Sequence, residues 1–307
     1  MRIAVAGTGG LARLIAHYID EDTSHHVVFL SRSQQPQLSS AGYQVAVIDY
    51  SEPETLRFAL RGIDTVISTV TGPNQIQLIQ AAVAARVRRF APAEFEGPPR
   101  LRAANDPLDR GRSVARQWLN HYAQNIQSTA FVCGILYERF QPGGLAQSQI
   151  GMASGFSGEG DYIMNCRLMT AQAPAYDHNN EPNATICMTA AQDVARFVTQ
   201  SLDLRTWPSE LRMHGQRIQV KDFVLQVQRL TGRPFDIQWH GPVTLRAEMQ
   251  VAVAQNDNAR QTRLRTLMNT CEGRYDFDHS NLNQMFGDIQ PIDFDMWFTA
   301  KWNPQQL

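Results

Sequence analysis

Lysine is nearly absent from this chain: Lys221 and Lys301 are the only two among 307 residues. Positive charge rests on arginine, whose guanidinium stays protonated, so a side-chain amine tuned to trade protons near neutrality is missing from most of the sequence. Strong net charge is missing too. A formal charge of −1 gives no basic field for nucleic acid or an anionic membrane. Cysteines 133, 166, 187 and 271 include no CxxC pair, which argues against a zinc knuckle or redox dithiol and for buried, reduced thiols in an intracellular protein. His25, His26, His214, His240 and His279 lack H-x-x-x-H or Cys partner spacing, so no metal is expected. There is no G-x-S-x-G elbow and hence no signature of a serine hydrolase. No apolar run reaches membrane-spanning length, and a strand-like run from residue 2 leaves no room for a cleavable signal; a cytoplasmic location is expected.

What is present is an ordinary globular composition, 43% hydrophobic and 19% charged, long enough for one large or two medium domains. Apolar β runs at 2–6, 27–30, 44–49, 64–70 and 87–93 alternate with helical patterns. That alternation predicts an α/β fold of Rossmann type, a doubly wound parallel sheet, over residues 1–150. The glycine-rich stretch QPGGLAQSQIGMASGFSGEGD (141–161) reads as a junction or mobile loop. Residues 151–307 are expected to form a smaller substrate lobe, with segments around 185–235 returning to the first domain. The pattern over 243–270 predicts one long helix. Phe294, Trp297, Phe298 and Trp302 have helical spacing and read as core or interface, which leaves a homo-oligomer open.

The first turn carries the chemistry. AVAGTGGLAR fits G-x-G-x-x-G/A through Gly7, Gly9 and Ala12, between a strand and a helix. Gly7 permits the tight turn, Gly9 lets backbone approach a pyrophosphate, and the free amides from Thr8 through Gly10 and Leu11 face the anion. The next strand ends in Ser31-Arg32-Ser33, where NAD-binding units usually carry Asp or Glu. A guanidinium flanked by hydroxyls suits a 2′-phosphate, so NADP(H) is expected. Asp49 and Tyr50 are placed to border the adenine, and Val70, Thr71 and Gly72 to run beneath the ribose and pyrophosphate.

The glycine loop, Ser31-Arg32, IDYSEPETLRFALRGIDTVIST and RFAPAEFEG together resemble the NmrA-like and isoflavone-reductase-like proteins, atypical members of the short-chain dehydrogenase superfamily. RFAPAEFEG is similar to the family's R-F-x-P-S-E-F-G, with Ala93 in the serine place and Glu96 inserted before Gly97. TAAQDVARFVTQSL and HGQRIQVKDFVLQVQRLTG look like later segments of the same superfamily, so the resemblance spans about residues 1–235. It implies a dinucleotide fold and places Pro92, Ala93 and Phe95 on the cofactor. It also implies two branches: NADPH-dependent reductases of conjugated or benzylic centres, and a non-enzymatic regulator. Fungal relatives serve as tailoring enzymes in specialised metabolism.

Most of that superfamily protonates through Tyr-x-x-x-Lys, which is impossible here because Arg217 and Trp297 stand four before the two lysines. The reductase branch places a lysine on the helix after P-S-E-F. In this chain that helix is DPLDRGRSVARQWL, with Arg112 the nearest match. Arg112 either holds the nicotinamide ribose or a carbonyl oxygen, or belongs to a solvated surface; Arg110 and Arg116 read as solvent-facing. Tyr137 and Glu94 are the candidate proton donors, against aromatic packing for the first and a structural role for the second. GFSGEGD (155–161) reads as a lid or an exposed turn. A small-molecule substrate is expected in the cleft between Arg112, the Pro92–Phe95 turn, Tyr137 and the 151–165 loop. The favoured function is reduction of a C=N or conjugated C=C bond in a bulky, heterocyclic metabolite, since an iminium ion needs no proton donor. A redox-mediated cyclase and a dinucleotide-sensing regulator are the alternatives.

Overall fold

The computed structural model describes residues 1–104 and 106–302. Its first half runs β1 (Arg2–Ala6), α1 (Gly10–Asp22), β2 (His26–Ser31), α2 (Pro36–Ser40), β3 (Gln44–Val47), α3 (Pro53–Ala59), β4 (Thr65–Ser68), α4 (Pro73–Ala84), β5 (Arg89–Ala91), α5 (Arg112–His121) and β6 (Gln127–Ser128). The six strands form one parallel sheet in the order β3-β2-β1-β4-β5-β6. Alternation along each strand assigns the faces. Ile3, Val5, Val27 and Phe29 bury against α1, whereas Ala4, Ala6, Val28 and Leu30 bury against α3, α4 and α5. The order reverses between β1 and β4, so the carboxyl ends of those strands open a crevice suited to a ligand.

The second half contains β7 (Ala130–Val132), β8 (Ile135–Leu136), α6 (Gly144–Gln147), β9 (Met164–Asn165), β10 (Thr170–Pro174), β11 (Thr185–Thr189), α7 (Ala191–Ser201), β12 (Glu210–Arg212), β13 (Gln216–Gln219), α8 (Val220–Thr231), β14 (Asp236–His240), α9 (Pro242–Ala254), α10 (Asn258–Cys271), α11 (Asn281–Met285) and α12 (Phe294–Lys301). The helix α7 and the strand pair β7·β12 share the core beneath α1. Leu145 of α6 and Leu282 of α11 join that core, while α8, α12 and the sheet of β9, β10 and β14 pack around a separate one that includes Phe140, Phe223, Phe294, Trp297, Phe298 and Trp302. Within 185–235, therefore, α7 and β12 lie with the first domain while α8 lies with the second lobe. The last residues of the expected lobe, 303–307, lie outside the described residues.

The long helix expected over 243–270 is two helices. Asn256 adopts φ +53° between them, and Asp257 accepts the Arg260 amide at 3.0 Å to start α10. Local capping chemistry thus broke a pattern that periodicity alone carried through.

One buried cation ties the returning chain to the sheet. Arg89 on β5 is 2% exposed, and its guanidinium donates to the carbonyls of Leu202, Leu204 and Arg205 just past α7. Leu202 O is among the acceptors that the end of α7 leaves unpaired, and Leu204 and Arg205 lie in the turn just beyond it. Arg89→Met is expected to lower stability by about 3 kcal/mol in urea unfolding, because the orphaned carbonyls stay buried. Arg89→Lys, whose ammonium lacks the planar fork, is expected to recover only part of that loss.

Candidate functional site

The glycine loop lies where the sequence places it. Gly7 has φ +105°, and a Cβ there would overlap the Thr69 hydroxyl, which donates to Ala6 O at 2.9 Å. The loop is thereby drawn against the residues after β4, and Val70, Thr71 and Gly72 continue from that contact into α4. At the end of β2, the Gln35 amide donates to both the Ser31 and Ser33 hydroxyls. Arg32, between them, is exposed and has no ion-pair or hydrogen-bond partner among the described residues. Burial pushes the Tyr50 phenol up to about 12 against the pull of Arg32, so the two face one region. Asp49 is turned to Ser51, whose hydroxyl and amide donate to it at 2.6 and 2.8 Å.

A segment that sequence reading left as a loop covers this site. Gln149 O accepts the Gly10 amide at 2.9 Å, at the first residue of α1. A Cβ on Gly10 would overlap Ser148 O, and one on Gly9 would stand 3.1 Å from Gln149 O. A carbonyl oxygen therefore occupies an acceptor position at the helix N-terminus, where an anionic oxygen is favoured. The same strap continues to Ser154 and Phe156, whose carbonyls accept Arg110 at 2.6 Å and Arg139 at 3.3 Å. With the strap displaced, the loop, the free Arg32 and the Ser31 and Ser33 hydroxyls fit a phosphorylated dinucleotide.

The turn after β5 differs from its expected role. Glu94 is fully buried, and both of its oxygens take Arg102, at 3.0 and 2.6 Å. Arg116, expected to face solvent, stands 3.4 Å from the same carboxylate, and of the two roles open to Glu94 the geometry favours the structural one. Glu94 is a structural anion. Glu96 joins Arg102 at 3.1 Å, Arg274 at 3.0 Å and Arg112 at 3.7 Å. Burial alone raises the Glu96 carboxyl, but the Arg112, Arg274 and Arg102 charges outweigh it and bring it to about 2. Arg112 itself donates to Ala93 O at 2.9 Å and Leu108 O at 3.4 Å, which fixes it beside the Pro92–Phe95 turn rather than in solvent.

Tyr137 is also corrected. It packs edge-on to Phe294 and tilted against Trp297 in the second lobe's core, and its hydroxyl has no hydrogen-bond partner among the described residues. Burial pushes its phenol far up, removing it from proton transfer near neutrality. Phe95 stacks on Phe131 at 5.9 Å instead of reaching outward. Ala93 is held by its amide to the Gln75 side chain at 2.7 Å; Gln75 is fully buried on an otherwise apolar face of α4. Sequence reading missed Gln75, Arg102, Arg274 and Arg139. Gln75 alone left a signal, a polar residue among the inward positions of a helix.

Comparison with known proteins places the first half firmly. The family description "NAD(P)H-binding" matches residues 6–128. Residues 6–128 are thus similar to known NAD(P)H-binding domains. Oxidoreductase swnR of Metarhizium robertsii is 37% identical over 31% of this chain and 33% of that protein, so the chain matches about a third of that relative's length. Oxidoreductase BOA1 of Botryotinia fuckeliana is 25% identical over 76% of each chain. Among solved structures, the ternary complex of leucoanthocyanidin reductase from Vitis vinifera superposes with a TM-score of 0.71 at 18% identity, covering 98% of this chain and 99% of that one. That likeness is one of fold, and it extends past the NAD(P)H-binding domain through the second lobe. No described helix is long and apolar enough to cross a membrane.

Two measurements probe this geometry. Since the Glu96 carboxyl is held at about 2, below its ordinary 4.5, its contribution is complete above about pH 4.5 and lost as pH falls through about 2. Glu96→Gln is expected to cost about 3 kcal/mol at pH 7 in urea unfolding, with the gap to the wild type closing across that acid window. Saturating NADPH is expected to protect amides 7–13 from hydrogen exchange while loosening 148–157. If the strap instead gains protection, the cofactor does not use the Gly10 amide.

Proposed function

We propose that the protein is an NADPH-dependent reductase of a C=N or conjugated C=C bond in a bulky, heterocyclic metabolite. One observation carries the choice of acceptor: at the carboxyl end of β5 the candidate donors Glu94 and Tyr137 are both engaged elsewhere, and fixed guanidinium charge stands beside them. Glu94 is spent on Arg102, Tyr137 is sealed in apolar core, and Arg112 stays charged. When bound, reduced nicotinamide supplies hydride. A C=N group already protonated as an iminium accepts it without a general acid, which a ketone does not. Arg112 holds position beside Ala93, and the glycine loop and Arg32 anchor the phosphates.

The names of relatives agree with this class: two fungal proteins called oxidoreductases and a plant reductase of the same fold. A second reading has its own support. A strap that must leave the Gly10 amide before a dinucleotide enters is a two-state element, which is what a dinucleotide-sensing regulator requires.

Calorimetric titration with NADPH, NADP+ and NADH, repeated on Arg32→Ala, tests the reading. NADPH is expected to bind at least tenfold tighter than NADH, about 1.4 kcal/mol, with the preference lost in the variant. A preference for NADH would sink the 2′-phosphate assignment. Strong selection of NADP+ over NADPH would favour the regulator, and product formation without NADPH loss would favour a redox-mediated cyclase.

A further inference from the structure

Two guanidiniums at the mouth of the cleft lack what the others have. Arg102, Arg112, Arg116 and Arg274 each reach Glu94 or Glu96. Arg110 and Arg139 pair with no carboxylate among the described residues, and each has a single hydrogen bond, to a carbonyl of the strap. Arg139 is mostly enclosed, with its guanidinium 4.9 Å from the Phe156 ring centre and 5.8 Å from that of Tyr162. Most of its five donors are thus unspent beside two aromatic rings. Arg110 reaches the same strap two residues away, at Ser154 O, from a backbone at φ +51°. A non-glycine residue in the left-handed region costs about 1–3 kcal/mol and persists where the surrounding structure enforces it, commonly at ligand clamps.

We infer that Arg110 and Arg139 form the recognition pair for a carboxylate on the substrate, and that the strap carbonyls of Ser154 and Phe156 stand in for its oxygens. This rests on the reductase reading and deepens it. A cationic C=N acceptor entering beside two unneutralised guanidiniums is repelled. An acidic group on the same molecule turns that repulsion into two charge-assisted contacts, and the forked guanidinium geometry matches two oxygens. Glu96 cannot serve as the counter-ion, because three other guanidiniums share it. Burial lowers the affinity of both arginines for their protons, and the field of Glu96 offsets only part of that. One strap blocks both the Gly10 amide and this pair, so cofactor entry frees the arginines and the acid binds second.

The test is calorimetric titration of the NADP+-saturated protein with benzoate and 2-naphthoate, each against its primary amide. The acids are expected to bind at least tenfold tighter than the amides, and at least tenfold tighter than to cofactor-free protein. Arg139→Gln and the exposed-site variant Arg110→Gln are each expected to weaken acid binding by tenfold or more, with NADP+ affinity kept within twofold. Arg139→Lys should recover part of the loss, and circular dichroism melting verifies folding of all three. Equal binding of acid and amide, no binding of either acid, or acid binding unchanged in both variants overturns the inference. Loss of NADP+ affinity with acid binding intact assigns the pair to the cofactor phosphates instead. If NADP+ does not bind the wild type, the reductase reading falls, and titration of the cofactor-free protein still reports on the arginine pair.

Discussion

Two carboxylates gripped by arginines at the turn after β5 hold this molecule's working parts in register. Glu94 and Glu96 are two residues apart, and the guanidiniums that reach them come from the 99–102 turn, from α5 and from Arg274 beyond α10. The network therefore clamps the sheet edge, the arginine helix and the second lobe onto one short segment. Removing charges from water is expensive, and a pair of this kind is offset only when its geometry and remaining hydrogen bonds are satisfied. Here Arg102 meets Glu94 with two parallel bonds, and Arg274 also donates to Pro98 O at 2.6 Å.

That clamp makes use of what an arginine on α5 can do and a lysine cannot. A lysine presents a point charge that loses its proton readily when buried, whereas a guanidinium keeps its charge and spreads donors over several acceptors. Arg112 uses that reach to hold Ala93 O, Leu108 O and the Glu96 field at once. The gain is a rigid, permanently charged wall beside the cofactor loop. The loss is proton transfer from this helix.

The strap gives the site a second state. Its carbonyls accept the Gly10 amide and one hydrogen bond each from Arg110 and Arg139. Buried donors without partners are costly, so a chain that closes on them when empty stabilises the cofactor-free protein. The same economy of contacts makes ligand entry an exchange of one set of oxygens for another, with little net change in the number of hydrogen bonds.

The sequence by itself determined the sheet, the glycine loop and Arg32, because strand and helix periodicity and backbone freedom at Gly7 are local properties. The lack of a Tyr-x-x-x-Lys pair was equally plain from composition and spacing. Only the tertiary structure decided the fates of Glu94, Tyr137, Arg110 and Arg139. Each depends on partners far along the chain or on which side of a wall a side chain falls: Tyr137 meets Phe294, and Glu96 meets Arg274. A buried charge is defined by what surrounds it, and residue spacing in one dimension does not carry that information.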